Sequence, residues 1–499
     1  MPPTIVFREH TIAPEPFQDR VLRSARVLQA AGIGEGAVVA LMMRNSPQLL
    51  ELMLAARWLG AMWCPINWHY KTEEVQYILG DSGARVLVID AALLAGLPGL
   101  RLDTITSFVR DDGVGASAPD TAAPDWEHSR DAATPLDEPA RAPRGAMLYT
   151  SGTTGRPKGI VRAAASPDKV ASSLAVLRQV LGFRPGMRAL VSAPMYHSAP
   201  NTYCVGAALE GAELFIEPRF DAEHTLRMIE RHRITHAYLV PTMYVRMLAL
   251  PGDVRKRYDL SSMQFVASTG SPCAPEVKRA MIDWWGPVIN EAYGSSELGY
   301  STLLSSADAL RKPGSAGRPL SGARFAILDE QGAPLPPGQP GLIYLHQDAY
   351  ADFSYIGNPE ARRRMEINGL KTLGDVGYLD EDGFLFIVDR ASDMVISGGV
   401  NIYPAEIEAV LQSMPGVADC AVFGIPDAEF GEALGAAVQL QPGAMVSAEQ
   451  VGAYLKQRLA GYKVPKVVEF VAQMPREDTG KIFKRKLREP YWAGMARRI

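Results

Sequence analysis

Tyr149-Thr150-Ser151-Gly152-Thr153-Thr154-Gly155-Arg156-Pro157-Lys158-Gly159-Ile160 is the stretch on which the reading of this chain turns. Four hydroxyl side chains and two glycines fill the six positions from Thr150 to Gly155, and Lys158 follows. Glycine lets backbone N–H groups come close to an anion, hydroxyls donate to phosphate oxygens, and lysine adds a point charge. The apolar residues Ala146-Met147-Leu148 read as a strand that delivers the loop to a strand end, where α/β sheets bind ligands. No Gly-Lys-Ser/Thr closes the string, so it is not a P-loop. A bare Ser/Thr/Gly string is usually a solvated surface loop. The Pro157-Lys158-Gly159 ending makes this one far more specific.

Working outward, 499 residues are too many for one core, so a large and a smaller domain are expected. With 47% hydrophobic and 21% charged residues the composition is that of an ordinary globular protein, and a net charge of −4 argues against a nucleic-acid partner. Cys64, Cys204, Cys273 and Cys420 are widely spaced. They read as buried thiols in a reducing compartment, and a cytoplasmic location is expected, since the first residues lack a signal-peptide layout. The charge-free run Ala189 to Leu209 holds two prolines, a histidine and an asparagine, which argues against a membrane span.

Helical spacing at Val21, Ala25 and Leu28 and over Pro47 to Leu59 alternates with short apolar strands at Val38 to Met42 and Val86 to Asp90. That alternation predicts an α/β class. Gly113 to Arg144, rich in Ala, Pro and Asp, reads as a long surface connection. The last hundred residues read as a mixed α+β small domain. They hold a helix from Pro404 through Met414, strands at Val417 to Phe423, Ala436 to Leu440 and Lys466 to Val471, and a capping box at Ser447 and Gln450 opening a helix to Leu459. The tail from Lys481 carries seven Lys/Arg and one Glu and reads as a solvated face, with weak attraction to anionic membrane the minority reading.

Several blocks carry chemistry. In Asn290-Glu291-Ala292-Tyr293-Gly294-Ser295-Ser296-Glu297, Tyr293 offers a flat face for a purine and Gly294 a close backbone approach. Ser296 and Glu297 suit phosphate and Mg²⁺, because hard cations take oxygen ligands. Asp375, between Gly374 and Gly377, can accept two ribose hydroxyls, although a turn with a satisfied Asp explains it equally well. His197, in Met195-Tyr196-His197-Ser198, follows an apolar run and could line a pocket mouth. Thr479-Gly480-Lys481 presents one ammonium on a tight turn.

Taken together and in this order, the motifs resemble those of the adenylate-forming superfamily, which includes acyl-CoA synthetases, peptide-synthetase adenylation domains and luciferases. The resemblance runs from Gly60-Ala61 to Leu487-Arg488. It implies a large, multi-sheet N-terminal adenylation domain over residues 1–390 and a small mobile C-terminal domain over 391–499. It implies that Thr150, Ser151, Gly152, Thr153, Thr154, Gly155 and Lys158 cradle phosphate. Gly270, Ser271 and Pro272 would form an adenine-contact loop, and Glu291, Ala292, Tyr293, Gly294, Ser295 and Ser296 would bind ATP or AMP with it. Asp375 and Arg390 would hold ribose, and His197 would stand beside the carboxylate being activated. Glu297 would bind Mg²⁺, Lys481 would be the adenylation lysine and Ser392 the hinge, in place of the usual Asp or Lys. Ser397, Gly398 and Gly399 would line a pantetheine tunnel.

The expected activity is an AMP-forming acid–thiol ligase using ATP, Mg²⁺ and coenzyme A. Its partners are a carboxylic acid, ATP and CoA, with a homodimer left open. Amino-acid-activating relatives place an Asp near this histidine block, whereas Met195 to Asn201 has no carboxylate. A buried unpaired ammonium is costly, so a fatty acid is the expected substrate. Aryl or other bulky acids, or loading of a carrier protein, stand as the alternatives.

Overall fold

The computed structural model describes residues 2–113, 123–150, 157–391, 393–398, 400–476 and 482–493. The N-terminal helix Pro14–Ala30 buries Phe17, Val21, Ala25 and Leu28, one stripe at helical spacing, and two prolines in its first turn suit φ near −65°. The helix Pro47–Trp58 opens where the Leu49 N–H donates to the Ser46 hydroxyl at 3.2 Å, and it is buried nearly all round.

These helices flank two parallel sheets. One has the order Met62–Pro65, Val38–Met42, Val86–Asp90, Thr106–Arg110. The other runs Ile289–Glu291, Phe265–Ser268, His236–Tyr238, Arg188–Val191, Glu213–Ile216, Thr4–Phe7, with His10–Ile12 added antiparallel at its edge. Both faces of such sheets are covered, which is why strands such as Leu190 and Phe215 are fully buried. An antiparallel sheet built on Gly341–Gln347, Asp375–Leu379 and Leu385–Arg390 follows. Past it lies a smaller sheet whose long hairpin, Val417–Asp427 with Gly431–Leu440, packs on the helix Pro404–Gln412 through Ile407 and Leu411. This is the expected α/β class with a mixed small unit at the C-terminal end. The capping box at Ser447 and Gln450 is present, although its helix ends at Lys456 rather than Leu459.

Three sequence expectations change. Gly113 to Arg144 is not all surface connection, because Trp126–Ala132 is a helix. Its Trp126 is fully buried, edge-to-face on Phe108 at 5.3 Å between ring centroids. A single anchor residue has no periodic partner to reveal it. The strand before the Ser/Thr/Gly loop does not end in a parallel sheet. Leu148–Thr150 pairs antiparallel with Lys158–Arg162, Thr150 opposite Lys158. The basic tail is not merely solvated, since the helix Lys484–Trp492 turns Lys484 onto Glu408 at 2.8 Å. Among the described residues no helix is long and apolar enough to cross a membrane, and the charge-free run from Ala189 divides into a strand and the helix Ser198–Leu209.

Candidate active site

Four neighbouring parallel strands end side by side: Tyr238 lies opposite both Val191 and Ala267, and Ser268 opposite Glu291. The loops leaving those ends carry Tyr196-His197, Val240-Pro241, Thr269 to Pro272 and Ala292 to Glu297. All of them line one cleft of about 3000 Å³. This is where an open α/β sheet places its ligands. Gly270 has φ +97°, a conformation that suits glycine. At Gly294 a Cβ would lie 2.5 Å from the Gly299 carbonyl oxygen, so only glycine fits the tight hairpin that aims Tyr293 and Glu297.

Tyr293, Asp375 and Arg390 come together from separate elements. The Tyr293 hydroxyl donates to one Asp375 oxygen at 2.6 Å, and Arg390 Nε donates to the other at 3.1 Å. Asp375 and Arg390 are opposite each other across two antiparallel strands. Burial, then the Asp375 charge, pushes the Tyr293 phenol well above its ordinary value, so it remains a donor. Burial opposes the Arg390 charge, but Asp375 and Asp393 outweigh it and raise the guanidinium pKa. The result is a carboxylate held on its two flanks at the cleft wall, suited to accepting from a diol.

Glu297 is nearly buried, and the Tyr355 hydroxyl donates to one of its oxygens at 3.1 Å. Arg162 donates to the carbonyl oxygens of Ser296 and Glu297 at 2.9 and 2.6 Å, fixing the backbone on which the carboxylate stands. Burial lowers the Arg162 pKa, the ordinary response of a cation removed from water. Lys158 Nζ lies 5.4 Å from the centre of the Tyr355 ring. Among the described residues no three His, Cys, Asp or Glu side chains gather as a metal cage. A single carboxylate on the cleft wall nevertheless fits Mg²⁺, which binds through one or two carboxylates plus substrate phosphates. Glu297 is the residue that would hold it.

The turn bearing His197 is braced from below. The Met195 N–H donates to Asn45 Oδ1 at 2.8 Å, Asn201 Nδ2 donates to the Met195 carbonyl at 2.9 Å, and Trp63 Nε1 donates to Asn201 Oδ1 at 3.2 Å. Tyr196 and His197 rings lie 4.2 Å apart, and Trp68 meets Tyr196 edge-on at 4.6 Å. Such a brace presents His197 at the helix start as part of the cleft wall.

Of the residues expected at the site, Thr150, Lys158, His197, Gly270, Ser271, Pro272, Glu291, Ala292, Tyr293, Gly294, Ser295, Ser296, Glu297, Asp375 and Arg390 line this cleft. The Glu291 side chain turns inward to Lys278 at 3.0 Å, and burial raises its pKa, so only its backbone is offered to a ligand. Ser397 and Gly398 are not part of the cleft wall. Ser397 pairs with Gly431, and the Gly398 N–H donates to the Phe430 carbonyl at 2.9 Å. Ser151, Gly152, Thr153, Thr154, Gly155, Ser392, Gly399 and Lys481 lie outside the described residues. Arg162, Tyr355 and Lys484 were not anticipated. Arg162 shares a strand face with Lys158 at even spacing, a weak signal. Tyr355 reaches the site only because Phe353–Tyr355 pairs with that strand from nearly two hundred residues away, and nothing local marks it.

A cleft with a held carboxylate and a second carboxylate suited to a cation fits an adenylate-forming enzyme. Residues 4–352 match the family model described as AMP-binding enzyme, and residues 406–481 match the AMP-binding enzyme C-terminal domain. The chain belongs to this family, among its AMP-forming acid–thiol ligases of the acyl-CoA synthetase type. It is 37% identical over 476 residues to the long-chain-fatty-acid–CoA ligase FadD13 of Mycobacterium tuberculosis, covering 94% of this chain and 91% of that one. It is 34% identical to the feruloyl-CoA synthase of an Amycolatopsis species, covering 95% and 92%. The crystal structure of ATP-bound MatB from Rhodopseudomonas palustris superposes with a TM-score of 0.85 at 30% identity, covering 98% of this chain and 96% of that one.

Proposed function

We propose that this enzyme activates a hydrocarbon carboxylic acid, with a fatty acid favoured, as acyl-AMP and passes the acyl group to coenzyme A. The acid carboxylate attacks the α-phosphorus of ATP, and pyrophosphate leaves. The thiolate of CoA then attacks the acyl carbon, and AMP leaves with the bond electrons. Because the first step brings anions together, the protein contributes positioning and charge neutralisation. Thr150 to Lys158 would cradle the leaving pyrophosphate. Asp375 and Arg390 would hold ribose, and Lys481 would donate to the developing charge. Mg²⁺, held at Glu297, would neutralise phosphate oxygens. The division after Arg390, a swing about Ser392 between the two steps, and CoA contacts at Ser397, Gly398 and Gly399 belong to the same proposal.

The observation that carries the acid class is the wall beside His197. Leu174, Leu177, Val205, Leu209, Val240 and Val245 line the same cleft, and the acid nearest to His197 in sequence, Glu210, is taken by a two-pronged contact with Arg178 at 2.9 and 3.1 Å. Met195 to Asn201 offers a substrate ammonium no carboxylate, whereas an alkyl chain gains about 25 cal/mol per Å² buried. A bulky aryl acid is the second reading, favoured by Tyr196, Tyr238 and Tyr300 on the same cleft. The test is AMP release with CoA across octanoate, palmitate, ferulate, benzoate and free amino acids. Alkanoates should lead. Faster turnover of any free amino acid than of octanoate overturns the hydrocarbon reading, and ADP as product overturns adenylation.

A further inference from the structure

One carboxylate of the large unit reaches into the small unit. Asp389 sits on the strand Leu385–Arg390, next to the Arg390 that holds Asp375. It is 8% exposed. One of its oxygens accepts from its neighbour's own backbone, the Arg390 N–H at 2.7 Å. The other accepts from the Ala405 N–H at 2.9 Å. Ala405 is in the first turn of Pro404–Gln412, the helix that packs on the small sheet. Tyr403, the residue before that helix, contributes no side-chain cap. The large unit therefore supplies the anionic cap that the small unit's own sequence omits, at the helix end where an anion is favoured.

The same helix carries Glu408, one turn further on. Glu408 accepts from the Val422 N–H at 2.6 Å and takes the Lys484 ammonium at 2.8 Å. The Lys484 side chain is 17% exposed. Burial opposes its charge, but Glu408, Asp389 and Asp393 outweigh that and keep it protonated. Ile482, Phe483 and Lys484 in consequence line the cleft that also holds Asp375 and Arg390. Ile482 is the residue directly after Lys481.

We infer that Asp389 is a positioning residue that latches the small unit in the arrangement in which the segment after Lys481 faces the nucleotide cleft, and so sets the balance between the two half-reactions. It touches no reacting atom. This rests on the two-step reading above, and it predicts a selective defect. Asp389→Ala removes the cap from this arrangement alone and should shift the balance by about 3- to 30-fold. Asp389→Asn keeps an oxygen for the Ala405 N–H, since Asn caps about as well as Asp.

Two measurements test the latch. Acid-dependent ATP–pyrophosphate exchange should fall in Asp389→Ala. Thioester formation from supplied acyl-AMP should hold or rise, and Asp389→Asn should stay within about threefold of the parent in both. Independently of activity, nitroxide labels at Gln331→Cys and Met445→Cys, both exposed, report the separation of the two units. The four native cysteines are buried and leave the labelling specific. The parent and Asp389→Asn should share one dominant distance, and Asp389→Ala should depopulate it. Unchanged distances in Asp389→Ala, or equal loss of both half-reactions, would overturn the latch. A parent chain that exchanges no pyrophosphate with any acid would sink the ligase reading instead, and the label distances would still decide the latch.

Discussion

Replacing Asp375 by Asn isolates the proposed ribose contact from the fold. In the parent, the Asp375 carboxylate is 6% exposed and accepts from Tyr293 at 2.6 Å and Arg390 at 3.1 Å, leaving its remaining lone pairs for a diol in the cleft. Asn keeps the shape, loses the charge and turns an N–H₂ toward one of these donors. A hydrogen bond to a charged acceptor contributes about 1.5–3 kcal/mol, and Asn recovers about half of the two lost. The expected loss is about 1.5–3 kcal/mol, or roughly 10- to 150-fold in kcat/KM for ATP. Stability should fall far less, by about 1 kcal/mol, because the Arg390 side chain is 44% exposed and water can replace the pairing. The discriminating assay is a cycle with 2′-deoxyATP in ATP–pyrophosphate exchange. The parent should lose roughly 10- to 100-fold on the deoxynucleotide, and the variant less than about threefold, since its acceptor is already weakened. An equal deoxynucleotide penalty in both proteins would refute the assignment of Asp375 to ribose.

Three further outcomes follow from other residues. Lys481→Ala should lower acyl-AMP formation by about 10²–10³ and spare thioester formation from supplied acyl-AMP, with equal loss of both steps counting against its role. Gly294→Ala places a methyl 2.5 Å from the Gly299 carbonyl oxygen and 2.8 Å from Tyr300 Cα. It should cost about 1–3 kcal/mol on thermal melting and raise KM for ATP, and a variant unchanged in both would show that the hairpin yields freely. Glu51 is fully buried against Ser24 and Arg130, and burial raises its pKa from 4.5 to about 7 despite Arg130. A raised folded-state pKa contributes stability that is fully present below 4.5 and lost as pH rises through 7. The stability of the parent relative to Glu51→Gln should therefore fall between pH 5 and 8 by up to about 3 kcal/mol, and a pH-independent difference in urea titrations would refute this account.

Much of this enzyme was legible along the chain wherever the physics is local. Helix stripes such as Phe17, Val21, Ala25 and Leu28 follow from the helical period, and Pro404 and Ser447 mark helix starts because a fixed φ and a capping hydroxyl act within one turn. The Ser/Thr/Gly string and Tyr293 to Glu297 pointed to the family because their residue types stand in unbroken runs. What lies beyond a turn could not be read. Tyr355 bonds Glu297 only through strand pairing. The contact of Glu291 with Lys278 comes from the fold alone. The basic tail looked solvated until Glu408 captured Lys484. Trp126 stood in a stretch resembling linker. Each of these depends on the free energy of removing a charge or ring from water, which is set by what surrounds it. Residue types and spacing determined the family and the chemistry, while burial and long-range pairing, which exist only in the folded chain, decided which charges face the cleft and which are spent holding it together.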